Sequence, residues 1–186
     1  MKTIAVVCEK GGSGKTTLAT ELYHHFCRLG LETSFYALDG QYENRMIKVD
    51  NPNVVVVDTA GRLDADVRKI IEGANCIVIP TRPSPNDIEP FKRTVELVHA
   101  LTKVPVVIVV NDMNHYSVAQ VFKTWLDNCG WDDDVVCIPH SEAILQASLY
   151  NRSVIGHDRY GKASEAILGL CDTVCTVARI PNKPVD

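Results

Sequence analysis

A short apolar run, Thr3–Cys8, passes straight into Glu9-Lys10-Gly11-Gly12-Ser13-Gly14-Lys15-Thr16-Thr17, and an amphipathic stretch, Lys15–Leu29, follows at once. No other feature constrains the chain as much. Gly11, Gly12 and Gly14 let neighbouring backbone N–H groups turn toward one point, which suits phosphate oxygens. A helix opening at Lys15 aims its positive dipole end at the same point. In this strand–loop–helix setting Lys15 can reach the β- and γ-phosphates of a nucleoside triphosphate, and the Thr16 hydroxyl can ligate Mg²⁺. A Gly-rich turn with no ligand is the competing reading, and Gly14-Lys15-Thr16 at the mouth of a helix argues against it.

The rest of the chain repeats the alternation. Thr33–Leu38, Val54–Val57, Cys76–Pro80, Val104–Val110 and Val135–Ile138 are β-branched and almost continuously apolar, as parallel strands covered on both faces are. Between them lie helix-length segments at Asp64–Gly73, Asn86–Leu101, Ser117–Cys129, Ser141–Leu149 and Gly161–Ile180. Gly30 suits the residue after the first helix, and Ser117 and Ser141 suit N-caps. This predicts an α/β fold, a mostly parallel twisted sheet with helices on both faces, in one domain over 1–186. Such sheets bind ligands at the carboxyl ends of their strands.

Composition removes other classes. With 46% hydrophobic and 23% charged residues, disorder, collagen and coiled coil are excluded. No apolar run is long enough to span a bilayer, and the first run has the wrong flank for a signal peptide, so a cytoplasmic protein is expected. A net charge of −4 means that any basic surface is local. Seven cysteines are scattered through apolar runs without CxxC spacing, which fits reduced, mostly buried thiols.

The loop departs from the general phosphate-binding pattern. The position five residues before Gly14 is Glu9 rather than Gly, and a second lysine, Lys10, precedes the glycine pair. Lys-Gly-Gly-x-Gly-Lys-Thr-Thr resembles the deviant Walker A loop of ParA/MinD-type P-loop ATPases, especially small ParA proteins of plasmid and chromosome partition. The resemblance implies that Gly11, Gly12, Ser13, Gly14, Lys15, Thr16 and Thr17 bind ATP. It implies that Lys10 reaches across a homodimer to the nucleotide of the other subunit, as an intermolecular counterpart of an arginine finger.

Five further segments carry the resemblance, which covers the chain from Lys2 to about Leu170. Val54–Gly61 is an apolar strand ending in Asp58, the Walker B arrangement, where Asp58 holds Mg²⁺ with Thr16 or merely ends a strand. Asp39 matches the family's water-positioning Asp, although Ala37 replaces its first Asp and Gly40 its Pro; Gln41 matches. The loop Ile79–Ile88 resembles the family segment near nucleotide and dimer interface. Asn111 ends a strand, where its amide can meet an adenine edge or simply close the strand. Pro139-His140 and the helix after it resemble the segment that closes over base and ribose.

The resulting expectation is an ATP- and Mg²⁺-dependent dimerising switch with slow hydrolysis stimulated by a small ParB-like or other partner, without an N-terminal helix-turn-helix extension. Arg152, Arg159, Lys162 and Arg179 could meet DNA without sequence preference, although Glu142, Asp158, Glu165 and Asp172 offset them. The last helix lacks a basic face, which argues against a membrane role. Two alternatives remain: an accessory that positions a protein assembly without binding DNA, and a metallochaperone or cofactor-biosynthesis ATPase of the same fold.

Overall fold

The computed structural model describes residues 1–38, 46–150 and 152–182. Six strands form one sheet: β1 (Lys2–Val6), β2 (Thr33–Ala37), β3 (Val54–Asp58), β4 (Cys76–Thr81), β5 (Val106–Met113) and β6 (Asp134–Pro139). Their order is β2-β3-β1-β4-β5-β6 and every neighbouring pair is parallel. β1 therefore lies inside the sheet, with β3 and β4 beside it, and the chain leaves its carboxyl end directly into the glycine loop.

Alternate residues of each strand feed two cores, as the period of two requires. On one face Ile4, Val6, Val56, Val78 and Val109 pack against α1 (Lys15–Arg28) and α7 (Lys162–Ala178), through Leu18, Leu22, Phe26, Ile167, Leu170 and Val174. On the other, Ala5, Val7, Ile77, Ile79 and Ile108 meet α2 (Ala65–Gly73), α3 (Pro85–Leu101) and α4 (Ser117–Asp127) through Ile71, Phe91, Val95 and Phe122. Two shorter helices, α5 (Glu142–Leu149) and α6 (Val154–His157), complete the first layer.

Several boundaries move. Ser117 is not a cap: it is the first residue of α4, whose N-cap is Tyr116. Ser141 does cap α5, accepting from Ala143 N. β5 runs past Val110 to Met113 through a register shift against β6. α6 has no counterpart in the sequence reading. Its Ser153 Oγ and Val154 N donate to the Glu21 carboxylate of α1 at 2.5 and 2.8 Å, so a side chain more than a hundred residues away holds it. All seven cysteines are free thiols; Cys8, Cys76, Cys171 and Cys175 are buried, and Cys27 is exposed. Cys175 Sγ lies 3.9 Å from His25 Nε2, which meets Asn182. Burial pushes that thiol up to about 11 and His25 down, so the group packs rather than reacts.

Candidate functional site

The glycine loop stands where β1, β3, β4 and β5 end. Gly12 and Gly14 have φ of 76° and 103°, a region that costs glycine little and other residues a good deal. Gly14 is the N-cap of α1, and Leu18 N donates to its carbonyl. Lys15 is only 7% exposed; its ammonium donates to Lys10 O at 3.1 Å, and Ser13 Oγ donates to the same carbonyl at 3.2 Å. The two motif lysines are thus joined through the backbone of one and the side chain of the other. Lys10 itself is half-buried.

Both shoulders of the loop are braced from distant parts of the chain. Glu9 N donates to Thr94 Oγ1 of α3, and Arg93 pairs with the Glu9 carboxylate at 2.8 Å. The departure from Gly at position 9 therefore has a structural use: a carboxylate here clasps α3. On the other side Asn111 Nδ2 donates to Ser13 O at 3.3 Å, and Asn111 Oδ1 accepts from Asp112 N at 3.0 Å. These two bonds tie β5 to the loop, and Asn111 also lines the cavity beside it. Cys8, below the loop, is buried, and burial pushes its thiol up.

Asp58 ends β3 directly beside Val6 of β1 and is fully buried. Thr59 follows, its hydroxyl donating to Val6 O at 2.9 Å. A Cβ on Gly61 would lie 3.4 Å from Glu9 O and 3.6 Å from Lys15 Nζ, so the turn after β3 closes against the loop. Thr16, in the first turn of α1, and Asp58 offer hard oxygen donors of the kind Mg²⁺ prefers. Among the described residues no cluster of three or more His, Cys, Asp or Glu could hold a metal by itself. That donor chemistry fits Mg²⁺ bound with nucleotide phosphates, because Mg²⁺ keeps several waters and few protein ligands.

Ala37 ends β2 opposite Asp58 and is buried. Asp39, Gly40 and Gln41 lie outside the described residues. A cavity of about 270 Å³ runs from Gly12, Gly14 and Thr17 to Arg82, Asp112, His140 and Leu145. Asp112 and Arg82 were not singled out as site residues from the sequence, since nothing in their spacing brings three strand ends together.

A glycine loop of this form, a buried Asp on the next strand and an all-parallel sheet with the loop strand inside define a nucleotide-binding α/β domain. The family model of the CobQ/CobB/MinD/ParA nucleotide binding domain matches residues 4–154, and the chain belongs to that family. Solved structures agree in fold. MinD of Aquifex aeolicus is 17% identical, with 95% of this chain and 98% of that chain covered and a TM-score of 0.76. A McdA variant from Cyanothece in complex with ATP is 13% identical, covering 94% and 96%, with a TM-score of 0.78. A putative plasmid partition protein of Borrelia burgdorferi B31 bound to AMPPNP is 15% identical, covering 92% and 98%, with a TM-score of 0.74. At these identities the likeness is one of fold. No curated protein sequence matches the chain. Among the described residues no helix is long and apolar enough to cross a membrane.

Proposed function

We propose that the chain is an ATP-dependent dimerising switch that serves DNA partition, binding Mg·ATP through the glycine loop and hydrolysing it slowly, at a pace set by a partner protein. The observation that carries this reading is the paired-lysine loop, with buried Lys15 anchored on Lys10 O beside the buried Asp58. Thr16 and Asp58 would hold Mg²⁺, which supplies charge neutralisation on the phosphates. Lys15 would carry phosphate charge in its own subunit and Lys10 that of the other subunit. Asp39 would orient the attacking water. Family membership supports nucleotide binding and hydrolysis as a class, and a related fold has been solved as a complex of MinD with MinC.

The test is calorimetry and light scattering with a non-hydrolysable ATP analogue and Mg²⁺. The parent should bind and double in mass; Lys15→Ala should do neither. Equal binding by the variant would remove the loop from the nucleotide site.

One observation favours a second reading, in which the protein positions a protein assembly without touching DNA. Arg152, Arg159, Lys162 and Arg179 are exposed, but Glu142, Asp158, Glu165 and Asp172 are exposed as well. The cations are not segregated from the acids by burial, so a positive face would have to arise from their arrangement on a dimer.

A further inference from the structure

Glu9 is held at three points. Its N–H donates to Thr94 Oγ1 at 3.2 Å, and its carboxylate accepts from Arg93 Nε at 2.8 Å. Its carbonyl lies close to Gly61, where a Cβ would stand 3.4 Å away. Thr94 is fully buried and its hydroxyl is used twice, accepting from Glu9 N and donating to Pro90 O at 2.8 Å. Thr94 therefore suffices to fix the Glu9 backbone on α3. The ion pair is another matter. Arg93 is 53% exposed and Glu9 33%, and pairs as exposed as this add little to stability. What the pair does control is the charge beside Lys10, which directly follows Glu9 in the chain. The Lys10 backbone is fixed on its other side too, since its carbonyl accepts from Lys15 Nζ and Ser13 Oγ. Among the described residues Glu9 pairs with Arg93, and Lys10 makes no ion pair.

We propose that Arg93 is a positioning residue for assembly of the ATP-bound dimer: it occupies the Glu9 carboxylate, so that the Lys10 ammonium is not captured inside its own loop and reaches the phosphates of a second copy's nucleotide. This rests on the proposed action of Lys10 across the dimer. A carboxylate next to an ammonium on a fixed backbone attracts it, and a pair within one chain forms without waiting for a second subunit. Such a pair would have to break each time two subunits meet. A guanidinium prevents it, because it is charged at any pH the protein meets and gives the carboxylate a directed donor from outside the loop. A symmetric dimer contains the Lys10 contact twice, so the loss of Arg93 acts twice. Capture that weakens each contact about threefold should weaken dimerisation about tenfold.

Light scattering of the full chain with a non-hydrolysable ATP analogue and Mg²⁺ reads assembly. Titration of a fluorescent ATP analogue, at subunit concentrations too low for assembly, reads nucleotide affinity. Arg93→Met keeps the aliphatic stem and removes the charge. It should melt within about 4 °C of the parent, bind nucleotide at the parent's affinity and dimerise about tenfold more weakly. Arg93→Lys, which restores a cation for Glu9, should recover most of that loss. The deciding protein combines Glu9→Gln with Arg93→Met. With the carboxylate gone nothing captures Lys10, and dimerisation should return to within about twofold of the parent. A clasp that merely holds the loop demands the opposite: the double variant lacks both charges and should assemble no better than Arg93→Met alone. That outcome overturns the inference, as does an Arg93→Met protein that fails to fold or assembles like the parent. The role of Lys10 then stands if Lys10→Ala still fails to dimerise. A Lys10→Ala protein that dimerises like the parent overturns the reading of Lys10 itself, and the inference with it.

Discussion

Gly14 and Asn111 occupy each other's only room. The Asn111 amide reaches over the start of α1 to Ser13 O, and a Cβ added to Gly14 would stand inside van der Waals contact with Asn111 Nδ2. The end of β5 thus braces the loop at the residue where the helix begins.

Gly14→Ala should therefore suffer twice, from a φ of 103° that suits only glycine and from the collision with Asn111. The expected loss is about 1–3 kcal/mol of stability, or roughly 2–10 °C in Tm for a chain of this size. Nucleotide affinity should fall more steeply than stability, because relief requires the loop to shift. A variant with the parent's melting curve and the parent's ATP affinity would show that the brace is not needed.

Lys10→Ala should separate binding from assembly. The Lys10 carbonyl, which Lys15 and Ser13 use, survives the substitution, so the loop should keep its shape. ATP should still bind to the monomer, whereas analogue-induced dimerisation and hydrolysis should disappear. Light scattering decides it, and a dimer of unchanged stability would reduce Lys10 to a solvated side chain.

On the proposal that Asp39 orients the attacking water, Asp39→Ala should bind ATP at the parent's affinity and accumulate as the ATP-bound dimer. That dimer is the material for a gel shift with DNA at two salt concentrations. Binding through a few phosphate contacts should be visible at low salt and fall steeply as salt rises. No shift at low salt would favour the reading in which the partner is protein only.

Glu21 predicts a pH dependence of stability. Burial pushes its carboxyl above the ordinary 4.5, against the opposing hydrogen bonds from Ser153 and Val154. The folded state therefore holds this proton more tightly than the unfolded chain does. The stability that this group contributes is fully present below 4.5 and declines as pH rises through its folded value. Relative to Glu21→Gln, the parent should lose urea stability as pH rises above 4.5 through the raised folded value. Parallel pH curves for the two proteins would contradict this.

Much of the architecture can be read from the residues because it depends on local pattern. Runs such as Val54–Val57 and Cys76–Pro80 are β-branched and apolar on both faces, and only a covered parallel strand accommodates that. The glycine loop is equally legible, since Gly12 and Gly14 are needed for backbone reasons within the loop itself. What escapes is whatever depends on distance along the chain. α6 is four residues long and is held by Glu21 from α1. The hydrogen-bonded Arg82–Asp112–His140 group joins three strand ends about thirty residues apart, and none of the three residues has a local reason to be there. Asn111 was legible as a strand-end amide, but not as one engaged on Ser13, because that requires knowing that β5 ends beside the loop.

The bracing of the loop also bears on how the protein is made. Glu9 is secured by Arg93 and Thr94, and Ser13 by Asn111, so the short motif near the amino end relies on residues that leave the ribosome much later. A nascent chain that has left the exit tunnel only as far as β4 carries the complete motif and lacks the residues that hold its shape. Nucleotide capture during synthesis should therefore begin only once Asn111 has emerged. From then on ATP, by binding the native form alone, would draw the remaining chain toward completion of the fold.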